Sequence, residues 1–173
     1  MSKTRVATVW LDGCSGCHMS FLDLDERLLD IAPLIQLVHS PIADVKEFPE
    51  NVDVALVEGA VSSDEDEEKI LKIRERSKIL VALGDCSVTS NVPSMRNQFE
   101  PNRMLHAIYG DGVIPLGGGP VPTLLRKSRP IHEFVNVDVY VPGCPPPADL
   151  IFDTISNLLA GQKREDAPAP KFG

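Results

Sequence analysis

Lys78-Ile79-Leu80-Val81-Ala82-Leu83-Gly84-Asp85-Cys86 is the stretch that decides the fold of this chain. Its apolar run is too short for a helix and is closed at once by Gly-Asp, so it reads as a strand buried on both faces. The same pattern recurs outward from it. Arg5 to Leu11 ends at Asp12-Gly13, Val52 to Val57 at Glu58-Gly59-Ala60, and Val137 to Val141 at Pro142-Gly143, with a shorter strand at Ile35 to His39. Between the strands the period changes. Phe21, Leu22, Leu24, Leu28, Leu29 and Ala32 recur at helical spacing until Pro33, and Ser63 with Asp66 forms a capping box for a helix through Arg76. Ala148 to Ala160 is the last helix, stopped at Gly161. Strands alternating with helices predict an α/β, doubly wound parallel sheet in a single domain over residues 1–161. Residues 162–173 form a polar, proline-bearing C-terminal tail, expected to be extended or partner-bound.

The 173 residues are 43% hydrophobic and 24% charged, an ordinary globular composition. A chain of this length buries roughly 70% of its unfolded surface and needs no disulfide staples, so its four cysteines call for another explanation. Seventeen basic against 25 acidic side chains leave a net charge of −8 and no basic face, which excludes nucleic acid as a partner. No apolar run approaches the ~20 residues of a membrane span, and no signal peptide or twin-arginine signal precedes the first strand. The expected location is cytoplasmic, where thiols stay reduced and cysteine sets serve metal or redox chemistry. The acidic run Asp64 to Glu68 sits at a helix N-terminus, where the dipole favours it. Asn91 to Pro130 is weakly patterned. Its Gly117-Gly118-Gly119-Pro120-Val121-Pro122 cannot open a phosphate-binding helix and predicts a lid or docking surface.

Cys14 and Cys17 stand in Asp12-Gly13-Cys14-Ser15-Gly16-Cys17, and Cys86 and Cys144 stand alone, each following a predicted strand. In an open parallel sheet ligands gather outside the carboxyl ends of the strands, so three loops can bring four thiolates to one place. Four sulfurs suit structural zinc or an iron-sulfur cluster. Zinc usually takes two local knuckles and stabilises small modules, whereas here one local pair is joined by two distant single cysteines. Gly13, Gly16, Gly84 and Gly143 let backbone N–H groups approach sulfur, which also favours a cluster. A thioredoxin-like dithiol explains Cys14 and Cys17 equally well but leaves Cys86 and Cys144 without a role. Zinc and inert buried thiols are the remaining alternatives.

Asp12-Gly13-Cys14-Ser15-Gly16-Cys17, Glu58-Gly59-Ala60, Gly84-Asp85-Cys86 and Pro142-Gly143-Cys144-Pro145-Pro146 together resemble the small, electron-transfer subunit of nickel-iron hydrogenases, in unbroken order over about residues 4 to 160. The resemblance implies a flavodoxin-like fold and a proximal 4Fe-4S cluster ligated by Cys14, Cys17, Cys86 and Cys144, with the four glycines as backbone around it. No cysteine follows Cys144, so one cluster is expected. The short length, the lack of an export signal and the terminal Lys171-Phe172-Gly173 look most like the soluble, cytoplasmic, NAD-reducing bidirectional branch. There the chain would pass electrons between the nickel-iron site of a large subunit and a diaphorase module carrying FMN, NAD and further iron-sulfur clusters, with no catalytic residue of its own.

One rival is the cluster-bearing small subunit of respiratory NADH:quinone oxidoreductase, whose first motif has adjacent cysteines where Ser15 and Gly16 here separate Cys14 from Cys17. A free-standing flavodoxin-like flavoprotein is the other. Glu58, after the third strand, is expected near the cluster as a possible iron ligand on over-oxidation, against the plainer reading of a solvated carboxylate. His18 either contacts a cluster sulfur or faces solvent or a partner. Arg96 either faces the crevice or forms a surface ion pair, and Trp10 is expected in core or interface packing.

Overall fold

The computed structural model describes residues 3–110 and 121–161. Five strands, β1 (Thr4–Trp10), β2 (Ile35–His39), β3 (Val52–Glu58), β5 (Ser77–Leu83) and β7 (Val139–Val141), form one sheet in the order β2-β1-β3-β5-β7. Every pairing in it is parallel. These are the five strands read from the apolar runs, and the fold class is the expected α/β, flavodoxin-like one. Parallel neighbours need crossover connections: α1 (Gly16–Leu22) and α2 (Leu28–Ile31) lie between β1 and β2 and α3 (Asp64–Arg76) between β3 and β5, while α6 (Ala148–Leu159) follows β7.

Strand alternation sorts the core into two layers. Ala7 and Val9, Ala55 and Val57, and Leu80 and Ala82 point to the face covered by Ile70 and Ile73 of α3. Val6, Val54, Leu56, Val81 and Leu83 point to the opposite face, against Cys17, Ile31, Ile151 and Ile155. Both faces are apolar, so the strands lose the polar alternation of a half-exposed sheet.

Two features depart from the expected pattern. The first helix is not continuous: α1 stops at Leu22, a 3-10 turn runs over Asp25–Arg27, and α2 follows. Asp25 takes φ +49, which a helix cannot accommodate, so helical spacing survives while the ladder breaks. The weak region after Asn91 contains a 3-10 helix over Val92–Gln98, the helix α5 (Pro101–Tyr109) and the strand β6 (Leu124–Arg129). β6 pairs antiparallel with β4 (Val61–Ser63) as a ribbon outside the main sheet. The Gly117–Pro120 stretch and the 162–173 tail lie outside the described residues.

The register places the site. Trp10 pairs with Glu58, Glu58 with Leu83 and Leu83 with Val141, so β1, β3, β5 and β7 end at one level. Every sequence-predicted cysteine leaves the sheet at or just beyond that level.

Candidate functional site

Cys14 lies in the loop after β1 and Cys17 in the first turn of α1. Cys86 sits in a short helix, α4 (Asp85–Thr89), directly after β5, and Cys144 follows β7. Cys17 and Cys86 are buried, Cys14 and Cys144 exposed, and all four are free thiols. Their electrostatics show that they share one neighbourhood. Burial pushes the Cys17 thiol well above its ordinary range, and Glu58, Cys86, Cys14 and Cys144 push it the same way. Cys86 rises from 9.0 to about 11, first by burial and then through Cys144, Cys14 and Glu58, opposed by a backbone hydrogen bond from Val92.

Three short clamps hold the loops in place. Asp12 exchanges backbone hydrogen bonds with Ala60 at 3.0 and 2.7 Å, fixing the Cys14 loop on the turn after β3. Asp85 donates its N–H to the Gly143 carbonyl at 2.9 Å and accepts the Gly143 N–H on Oδ1 at 2.7 Å, joining the Cys86 and Cys144 turns. Ser20 Oγ donates to the Pro146 carbonyl at 2.5 Å, tying α1 to the turn that carries the cis Cys144–Pro145 bond. Gly84 has φ +83, and a Cβ there would lie 2.2 Å from the Cys17 sulfur. Gly16 also lies against a sulfur, 3.3 Å from Cys14 Sγ by the same measure, while Gly13 packs on the backbone of Gly59.

Glu58 is not a solvated strand-end carboxylate. It is the last residue of β3, 2% exposed, and its parity turns it to the α1 face. Its Oε2 accepts the His18 backbone N–H at 3.0 Å and the His18 Nδ1 hydrogen at 2.6 Å. His18 therefore faces neither solvent nor a partner: it is 4% exposed, set edge-on to Trp10 with ring centroids 5.3 Å apart. Its Nε2 is buried without a hydrogen-bond partner among the described residues. Trp10 is 38% exposed, at the rim rather than in the core. Arg96 lies close enough to Asp12, in the Cys14 loop, to feel its charge. Its guanidinium donates to the carbonyls of Leu125 at 3.1 Å and Ser62 at 2.9 Å, bracing the ribbon, and its pKa is lowered by desolvation.

Sequence reasoning missed Asp85, Ser20 and the His18–Glu58 pair. Asp85 stands in the quoted Gly-Asp-Cys turn, and its carboxylate one residue before a ligand candidate was the only available signal.

The donor set fits an iron-sulfur cluster. Among the described residues, no three His, Cys, Asp or Glu side chains stand close enough to hold a single metal ion. A cluster instead gives each thiolate its own iron, and iron supplies the positive charge that four crowded sulfurs need before they lose their protons. A pH dependence follows for the metal-free chain. A thiol whose pKa is raised by folding binds more protons folded than unfolded, so its stabilisation is complete below pH 9.0 and is lost as pH climbs toward about 11. Thermal unfolding of metal-free protein should show Tm falling across that window, and a flat profile would contradict the burial of Cys86. Loading with iron and sulfide releases the protons and should steepen with rising pH.

A doubly wound α/β domain that gathers four thiols at one sheet edge defines the class of protein: a member of the flavodoxin-like folds with a cysteine-lined sheet edge. More particularly, the chain belongs to the NADH ubiquinone oxidoreductase 20 Kd subunit family, whose model matches residues 14–158. It is 40% identical over 166 residues to a subunit of the F420-non-reducing hydrogenase vhu of Methanocaldococcus jannaschii, covering 92% of this chain and 57% of that protein. It is 39% identical over 168 residues to the delta subunit of the NAD-reducing hydrogenase HoxS of Cupriavidus necator, covering 92% of this chain and 80% of that one. A chain of the NAD+-reducing [NiFe]-hydrogenase in its H2-reduced state superposes with a TM-score of 0.89 at 39% identity, covering 99% of both chains. The chain thus spans little more than half of the first relative and nearly all of the superposed one. The rival reading shares the family model, and the relatives named here are hydrogenase proteins.

Proposed function

We propose that this chain is the electron-transfer subunit of a nickel-iron hydrogenase, relaying electrons through one 4Fe-4S cluster held by Cys14, Cys17, Cys86 and Cys144. The observation that carries this reading is the level ending of β1, β5 and β7, which sets all four thiols in one electrostatic neighbourhood. The Val92 backbone hydrogen bond to Cys86 is the kind of donor that tunes a cluster's potential. The cluster supplies one-electron transfer. The chain's own residues hold it, shield one side of it and set its surroundings.

The partners in this reading are a large subunit with the nickel-iron site and a diaphorase module with FMN, NAD and further clusters, in the cytoplasm. The superposition on a chain of the NAD+-reducing enzyme, with a TM-score of 0.89 at 39% identity, supports the NAD-reducing branch. Exposed apolar side chains beside the thiols support a partner there: Met19 and Leu22 after Cys17, and Val92, Met95 and Phe99 after Cys86. The 162–173 tail is assigned to partner contact on the same reading. Among the described residues no helix is long and apolar enough to cross a membrane. Anaerobic co-purification with metal analysis tests the proposal. Nickel together with at least four iron and four sulfide per chain, broad visible absorbance and hydrogen-dependent NAD reduction by the complex are expected. Zinc in place of iron, or a disulfide between any two of the four cysteines, would overturn it.

Glu58 is assigned a place beside the cluster, with its carboxylate able to reach iron when the cluster is over-oxidised. Replacing Glu58 with Gln removes a buried negative charge and preserves shape, so the cluster potential should shift upward and recovery after oxygen should slow several-fold. Potentiometry before and after air exposure checks both. Unchanged values would leave Glu58 with only its anchoring of His18.

A further inference from the structure

Ser62, Ser90 and Ser128 form a buried hydroxyl cluster apart from the three clamps described above. Ser128, on β6, is its hub: its Oγ accepts from Ser62 Oγ at 2.8 Å and lies 2.8 Å from Ser90 Oγ. Its backbone is pinned as well, the N–H donating to Asn97 Oδ1 at 2.7 Å and the carbonyl accepting from Asn97 Nδ2 at 2.8 Å. All three serines are buried. A hydroxyl removed from water stays favourable only while it is bonded, so none of the three can rotate away without orphaning a neighbour.

Ser90 is the link to the thiol site. It caps the C-terminus of α4 in a left-handed conformation, φ +64, and donates its N–H to the Cys86 carbonyl at 3.0 Å. A serine is sterically penalised there and relaxes unless something holds it. Its side chain, anchored on β6, helps to hold it, beside the Ser94 N–H that bonds its carbonyl at 2.9 Å. α4 is only five residues long, so the position of its end governs the position of Cys86.

We propose that Ser128 is a positioning residue for Cys86, acting through Ser90, so that the ribbon outside the sheet sets the geometry of one corner of the cluster. The proposal rests on the reading that Cys86 holds an iron-sulfur cluster. Its test uses the full chain in its purified complex, with three single variants and the Ser128→Ala, Ser90→Gly double variant. Ser128→Ala removes the hub. Ser90→Gly removes the tether while permitting the left-handed turn. Ser77→Ala is the control, because it deletes a buried hydroxyl bond, to the Ile73 carbonyl, at the far end of β5 from Cys86. Ser128→Ala and Ser90→Gly should each release iron to a chelator about tenfold faster and alter the electron paramagnetic resonance spectrum of the reduced cluster. The double variant should be no worse than Ser128→Ala alone. Ser77→Ala should lower Tm while leaving release rate and spectrum unchanged. The proposal is overturned if the Ser128→Ala and Ser90→Gly complexes match the Ser77→Ala complex in both readouts. Absence of iron and sulfide from the unmutated complex is a different result, and it would remove the cluster reading itself.

Discussion

Serine in place of Cys17 should empty the site of iron and sulfide and cut hydrogen-dependent electron transfer by the complex at least about a hundredfold, since losing even an outer-shell partner of a metal ligand costs about 10–100-fold. Cys17 is the most demanding of the four positions because its sulfur is buried, wedged against Gly84 and surrounded by the other thiols and Glu58. An alkoxide is far harder to form in that setting than a thiolate. Cys14 and Cys144 are exposed, so serine there should loosen the cluster by a smaller factor, seen as faster iron loss rather than complete absence. Iron and sulfide analysis with the visible spectrum checks the series. Full iron in the Cys17→Ser protein would mean that the thiols converge for some other reason.

Alanine in place of Gly84 should do nearly as much damage without touching a ligand. Gly84 has φ +83 and ψ 162, a region that only glycine occupies readily, at about 1–3 kcal/mol for any other residue. The added methyl would also meet the Cys17 sulfur at 2.2 Å, so either α1 moves or Cys17 turns out of the site. Tm is expected to fall by about 5–10 °C. The iron content should fall with it, and this second loss distinguishes the clash from simple destabilisation. A variant that lost Tm but kept full iron would show that Cys17 can shift and still bind.

The two changes act at different levels. The first removes a donor that the amino-acid order announces, and the second removes a space visible only once β1 and β5 lie on either side of β3. Asp85 belongs to the second kind. Its carboxylate meets Gly143, 58 residues away, because Leu83 and Val141 pair in register at the sheet edge. The same holds for Glu58 and His18, 40 residues apart, whose contact follows from strand parity and the packing of α1.

The main sheet was legible because its central strands β1, β3 and β5 are buried on both faces and therefore appear as largely apolar runs, each closed by Gly within a few residues. That punctuation also marked where the cysteines would emerge, so their convergence followed from local order plus one general rule of parallel sheets. The ribbon of β4 and β6 was not legible. Val-Ser-Ser and Leu-Leu-Arg-Lys-Ser-Arg carry neither alternation nor a continuous apolar core, and their pairing spans some 60 residues. The break at Asp25 was equally hidden, since helical spacing persists on both sides of it. Amino-acid order alone thus determined the sheet, its strand ends and the four thiols. Only the tertiary structure decided which carboxylate is buried, which glycine leaves room for a sulfur, and which serines brace Cys86. The physical reason is range: apolar periodicity is a property of neighbours along the chain, whereas hydrogen bonds and close contacts between loops exist only after strands in register bring distant residues together.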